Sequence, residues 1–311
     1  MSIDSLIEFL NNVDLRSFEQ SLDELDKIER EIFLRREADV SRHIINLVRE
    51  KNKDFFIWFC FLRANFLRGS DIISNKAFIQ FLNFCQNQKN HYYFYQFPNG
   101  NLIPTFKPKF RHAHQIEEVL KQVREKYGSG ERFVEQIKQL SNAINDPHLL
   151  YLKLILKFLN FKQIGQKIAN AILGEIMATL TKLDNQYPQD FRRLYDGWMK
   201  NIVLASCFNV MIDTHVRKFF KKLGIKDETS IAYYLHLIAR SINPDVIKFM
   251  FNYFFNWIDE DHKKFMLDNY FDYIGANVLE KLIWKTYFIK KKLRSNAIKL
   301  KFFNLSEKIF L

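Results

Sequence analysis

Phe161-Lys162-Gln163-Ile164-Gly165-Gln166-Lys167-Ile168-Ala169-Asn170 joins two apolar helical runs. Before it, Asn145-Asp146-Pro147 places an N-cap side chain ahead of a proline at the first helical position. The helix predicted from His148 to about Asn160 carries Leu150, Leu154 and Phe158, with Ile155 and Leu159, on one broad face. After the turn, Ile168-Ala169-Asn170-Ala171-Ile172-Leu173 begins a second helix. Residues 149–181 therefore read as helix, tight turn, helix, and the rest of the chain repeats that grammar.

Outward from this segment, nine Gly and six Pro in 311 residues leave few interruptions to apolar positions spaced i, i+3, i+4, i+7. An all-α fold is predicted. Asn243-Pro244 repeats the start signal ahead of Val246, Ile247, Met250 and Phe254, and Tyr127-Gly128-Ser129-Gly130 separates two helices. A third turn region, Asp184 to Gly197, contains Tyr187-Pro188. The breaker-rich stretch Tyr95 to Pro108, with three prolines, reads as a loop. At its end Lys107, Lys109, Arg111, His112 and His114 alternate with Phe106 and Phe110, a strip suited to phosphates and unstacked bases, or simply a solvated loop rim.

The composition, 48% hydrophobic and 16% aromatic, provides for a sizeable core in one large domain or two smaller ones, and it excludes general disorder. A net charge of +12 and an isoelectric point near 9.4 favour an anionic partner. The basic residues are spread along the chain and no apolar run reaches the ~18 residues of a spanning helix, so nucleic acid is favoured over membrane. Cys60, Cys85 and Cys207 lie far apart without a CxxC pair, which argues against a disulfide framework, a structural zinc site and an iron–sulfur cluster. Met1-Ser2-Ile3-Asp4 lacks the basic start and apolar core of a signal peptide, and an intracellular, cytoplasmic protein is expected, held at the nucleoid in a prokaryote.

Gly165 opens the second helix, where a missing Cβ lets a ligand approach the backbone and the free N–H groups favour an anion such as a DNA phosphate. Lys167 follows two residues later, in the first turn. The positive helix end and the neighbouring Phe161 and Ile168 disfavour a charged amine, which makes Lys167 a nucleophile candidate; an exposed phosphate-binding lysine is the alternative. Asp213 precedes Thr214, His215, Val216, Phe219, Phe220 and Leu223, then Gly224: an N-cap, an apolar face and a glycine stop. It reads either as a cap alone or as a rigid carboxylate that also stabilises developing positive charge.

At these residues the chain resembles the helix-hairpin-helix DNA glycosylases of the endonuclease III and 8-oxoguanine glycosylase superfamily. The family hairpin Leu-Pro-Gly-Val-Gly-x-Lys-x-Ala runs over Phe161 to Ala169 without a gap, placing Gly165 on its second glycine and Lys167 on the catalytic lysine of the bifunctional members. The later family segment Val-Asp-Thr-His-Val matches Ile212 to Val216, with Asp213 on the catalytic aspartate. The match covers about a fifth of the chain. Lys162 replaces the proline and Gln163 the first glycine, so an altered turn is expected. Lys167 and Asp213 are 46 residues apart, more than twice the common family spacing, and residues 184–199 read as an insertion. A lengthened spacing resembles the archaeal 8-oxoguanine glycosylase branch.

The resemblance implies two helical domains flanking a DNA-binding cleft, one formed by residues 1–45 with 205–311 and carrying the aspartate, the other by 46–204 and carrying the hairpin. It implies excision of an oxidised base, 8-oxoguanine as the first choice, followed by β-elimination through a Schiff base on Lys167 assisted by Asp213. The alternatives are a monofunctional glycosylase that uses water and a non-catalytic helical DNA-binding protein. DNA contacts fall to Lys162, Gln163, Gly165, Gln166, His215 and Arg217. The partner is double-stranded DNA with a damaged base; no metal, cofactor, iron–sulfur cluster or membrane is implied, and the chain is expected to be a monomer. Phe61, Phe66, Trp198 and Phe208 are candidates for stacking on an extruded base, although these four aromatics also read as core residues, and Arg63 and Asn65, polar groups that interrupt the apolar helix Phe55 to Leu67, are candidates for hydrogen bonds to it. The run Lys290-Lys291-Lys292 with Arg294 reads as a solvated surface or a DNA-backbone contact.

Overall fold

The computed structural model describes residues 3–28, 53–68, 74, 76–82, 112–186, 189, 192 and 194–294. The chain is all-α, with no strand among the described residues. The basic strip at 106–111 lies outside them, as do Tyr187, Pro188, Cys85 and the side chains of residues 287–294. Two compact units are present, Met1–Arg35 with Val210–Leu311 and Arg36–Asn209.

In the unit Arg36–Asn209 the named helices are α1 (Lys53–Phe66), α2 (Ala113–Tyr127), α3 (Gly130–Ala143), α4 (Pro147–Leu159), α5 (Gln166–Gln186) and α6 (Trp198–Ser206). Helix α1 is apolar on every side, and every residue from Phe55 to Phe66 is buried. A helix with no polar face belongs in the middle of a bundle, and α1 lies between α3 and α5. Its Trp58 stacks on Phe61 at 5.4 Å and meets Phe133 edge-on at 6.2 Å. Gly130 is what admits the indole: a Cβ there would lie 2.7 Å from Trp58 Cε2.

The caps follow the sequence. Asp146 accepts a hydrogen bond from Leu149 N at 2.7 Å with Pro147 at the first helical position, and Ser129 accepts one from Arg132 N at 3.2 Å just after Gly128 (φ 82°). The broad face expected on α4 is narrower than its sequence suggested. Leu150, Leu154 and Phe158 are buried, but Ile155 is half-buried and Leu159 is exposed. Residues spaced by four stack in one row, while 155 and 159 lie about 100° further round and fall at its edge.

In the unit that joins both termini, residues 15–28 are helical alongside α7 (Ile3–Asn11), α8 (Thr214–Lys222), α9 (Glu228–Ser241), α10 (Pro244–Phe254) and α11 (Glu260–Arg294), the last broken at Tyr270 (φ −137°, ψ 29°). The long α11 packs against α8, α9 and α10. It approaches α9 most closely at Gly275, where a Cβ would stand 2.7 Å from that of Ala239. Asn11 ties α7 to the α9–α10 junction, donating to Ser241 O at 3.0 Å and accepting from Asn243 N at 2.6 Å. Lys285 pairs with Asp26, which also accepts from the Tyr253 hydroxyl at 3.1 Å.

Candidate functional site

The turn between α4 and α5 is held by apolar side chains at both ends. Phe161 is buried against Phe61, Tyr127 and Phe133, with ring centroids 5.6 to 6.2 Å apart, and Ile164 is buried three residues later. Lys162 and Gln163, between these anchors, are exposed. The Ile164 N–H closes the turn on Phe161 O at 3.1 Å. From α2, the Gln122 side chain clamps it, accepting from Lys162 N at 2.8 Å and donating to Lys162 O at 3.4 Å. A glutamine that pairs with both backbone groups of one residue, and so with two successive peptides, fixes the turn from below.

Gln163 has φ 73°, the left-handed region that glycine enters without strain. The position thus keeps a glycine-like backbone although the sequence departs from glycine there. The left-handed geometry costs about 1–2 kcal/mol for a residue with a Cβ, and glycine's added freedom in the unfolded chain offsets roughly half of that. Because the side chain is exposed, Gln163→Gly is expected to stabilise the protein by about 0.5–1 kcal/mol, read as a higher urea midpoint with unchanged m-value. A lower midpoint would show that the glutamine side chain has contacts of its own.

Gly165 is the residue before α5, and its carbonyl accepts from Ala169 N at 3.0 Å. A Cβ added there would meet nothing within 4 Å, so packing makes no demand for glycine at this point. Lacking a side-chain cap, the N–H groups of Gln166, Lys167 and Ile168 have no acceptor among the described residues. Gln166 is exposed and Lys167 half-buried, and the Lys167 amine makes no ion pair among the described residues. Asn170 locks the helix behind them. It is buried, donates to Gln166 O at 2.9 Å and accepts from the Tyr151 hydroxyl of α4 at 3.1 Å; burial pushes that hydroxyl up to about 12. An open, positively polarised helix start with an amine on its first turn suits a negatively charged ligand.

In the other unit, Asp213 caps α8. Its Oδ1 accepts from His215 N at 2.7 Å and Val216 N at 2.9 Å, while Oδ2 accepts from the indole N–H of Trp284 at 3.1 Å. Val216, Phe219 and Phe220 bury the inner face, and Gly224 (φ 84°) ends the helix. The His215 ring stands edge-on to Trp284 at 6.4 Å. Arg217 is exposed, pairs with Glu228 and donates from Nε to Ile212 O at 3.4 Å.

The structure thus gathers Lys162, Gln163, Gly165, Gln166 and Lys167 on one turn, and Asp213, His215 and Arg217 on the start of α8. Of the side chains considered for the base pocket, Phe61, Phe66 and Phe208 are buried in ring clusters, as is Arg63, which lies 5.4 Å over Phe78. Asn65 is buried too and donates to Phe61 O at 2.8 Å; Trp198 is half-exposed. Gln122, Trp284 and Glu280 escaped the sequence reading. Gln122 looks like any polar helix residue, whereas Glu280 carried a signal, a lone acid in the apolar run Val278-Leu279-Glu280.

No group of three or more His, Cys, Asp or Glu among the described residues is placed to hold a metal ion, and no helix among them is long and apolar enough to cross a membrane. Comparison of the chain with protein-family models, with curated proteins and with solved structures finds no match.

Proposed function

We propose that the chain is a DNA glycosylase with associated lyase activity, acting on an oxidised base in double-stranded DNA, with 8-oxoguanine the first substrate to try. The observation that carries this reading is the start of α5. Uncapped N–H groups beside an open Gly165 offer a phosphate site, and Lys167 stands on the same turn as a nucleophile. Asp213, held by three N–H donors, supplies a fixed carboxylate for a developing sugar cation.

The target nucleotide leaves the stack, since its sugar carbon cannot be reached inside a duplex. Asp213 stabilises the positive charge that grows on the deoxyribose as the N-glycosidic bond weakens, and Lys167 gives up a proton to solvent. The neutral Lys167 amine bonds to the anomeric carbon while the base departs with the electrons of its bond and takes up a proton. Opening of the sugar ring gives a protonated Schiff base. That iminium acidifies the adjacent C–H, and loss of this proton expels the 3′-phosphate by β-elimination. Every group in this sequence comes from the chain or the DNA, so the proposal includes no metal or cofactor, and it locates the protein with the DNA it repairs.

The test uses duplex oligonucleotides carrying 8-oxoguanine, thymine glycol, uracil or an abasic site, with borohydride added to trap the Schiff base. The wild type is expected to release one of these bases and form a covalent adduct, and Lys167→Ala to lose the adduct entirely. Base release without an adduct would assign the attack to water. DNA binding with neither release nor adduct would reduce the chain to a helical DNA-binding protein.

A further inference from the structure

The outward side of α4 carries a row of leucines. Leu149, Leu152, Leu156 and Leu159 recur at i, i+3, i+7 and i+10, and they are 38 to 57% exposed. Four of the eight large apolar side chains exposed among the described residues thus stand on this one helix, opposite the buried row Leu150, Leu154 and Phe158. Scattered exposed leucines need no explanation, but an aligned row marks a face that something covers.

Lys153 and Lys157 each follow a leucine of the row by one residue, so they form one edge of it. That edge borders an open groove of about 380 Å³, lined by Lys126 and Tyr127 at the end of α2, Leu140 of α3, and Lys153, Leu156 and Lys157 of α4. Three cations meet there and no carboxylate lines the groove. None of the three amines has an ion pair among the described residues. Lys157 Nζ and Lys126 Nζ lie 5.1 and 5.6 Å from the centre of the same Tyr127 ring, and burial, then the Lys126 charge, holds Lys157 below its ordinary range. Like charges gathered over one ring repel each other, and an anion placed between them removes the repulsion. Lys126 and Lys157 also suit the last turns of α2 and α4, but the helix ends account neither for Lys153, a turn further back, nor for the leucines.

We propose that this face docks a partner protein through an acidic amphipathic helix, whose apolar row packs on Leu149, Leu152, Leu156 and Leu159 and whose carboxylates meet Lys126, Lys153 and Lys157. The sign of the edge selects the occupant. A second copy of this chain would set lysines against lysines, with a net charge of +12 on each copy. DNA phosphates would pair with the lysines and leave the leucines in water. A bilayer surface covers a protruding face, whereas this one is grooved between three helices. The face lies wholly in the unit Arg36–Asn209, and none of its residues is assigned to DNA or to catalysis above.

The probe is a fluorescein-labelled helical peptide with leucines at i, i+3, i+4 and i+7 and flanking glutamates, titrated with the full chain and followed by anisotropy. The wild type is expected to bind it saturably, and to bind it about tenfold more weakly at high salt than at low salt. Leu156→Asp is expected to weaken binding at least about tenfold, with a melt matching the wild type because the side chain points into water. Lys153→Glu with Lys157→Glu is expected to reverse the preference, toward the same peptide with lysines in place of glutamates. No binding by the wild type, equal binding of the two peptides, or equal binding by Leu156→Asp overturns the proposal. A dimer in light scattering that Leu156→Asp dissociates would assign the face to a second copy, and co-sedimentation with phosphatidylglycerol vesicles that the same variant abolishes would assign it to a membrane; either overturns it too. None of these readouts measures base release, so failure here leaves the glycosylase reading untouched.

Discussion

Asp213→Asn is expected to lower base release by roughly 10²–10³ while the protein remains folded, the loss typical of removing one fixed electrostatic partner from a transition state. The substitution separates the two tasks of this side chain. Asparagine caps helices as well as aspartate does, and its carbonyl oxygen can take the place of Oδ1 toward His215 N and Val216 N. The other oxygen becomes an amide NH₂, which faces the donating N–H of Trp284 and loses that bond. Two of three contacts therefore survive, and the stability loss should stay near 1 kcal/mol, as for one lost hydrogen bond in a half-buried position. What disappears is the negative charge. Single-turnover base release together with a thermal melt distinguishes the cases: a rate near that of the wild type would make Asp213 a cap and nothing more, and a collapsed melt would make the rate uninformative until Asp213→Ser had been compared.

The fold class was legible because the signals that set it are local. Few breakers, a 3.6-residue apolar period, and caps at Asp146, Asp213 and Asn243 each depend on neighbours within four residues, and the structure realises all three caps. The features that escaped depend on residues distant in sequence. Whether Leu159 or Leu154 of α4 faces inward is decided by what α5 and α6 cover, and Phe61, Phe66 and Phe208 could not be told from pocket residues until their ring partners were known. At Gln163 a left-handed backbone is held without a glycine, and what fixes the turn around it is Gln122, forty residues from Lys162 in sequence, with the buried Phe161 and Ile164. The Asp213 to Trp284 bond spans 71 residues, and no spacing rule within one sequence reaches so far.

Glu280→Gln is expected to make the protein more stable at neutral and alkaline pH, and by a wide margin. The carboxyl, ordinarily at 4.5, sits at about 8 in the folded protein. Between those values the folded state binds a proton that the unfolded state has released, so stability is fully present below about pH 4.5 and is lost steadily as pH rises toward 8. Each pH unit in that window removes about 1.4 kcal/mol, which amounts to a loss on the order of several kcal/mol by pH 8. A glutamine has no proton to bind and pays no such penalty. Unfolding by urea at pH 5 should find the two proteins close together, and at pH 8 the variant ahead by several kcal/mol, with a melting temperature higher by roughly 10 °C. Parallel stability curves would show that Glu280 is solvated and charged in the native state, against its burial. If the curves diverge as expected, the acid is a liability to the fold at the pH where the protein works.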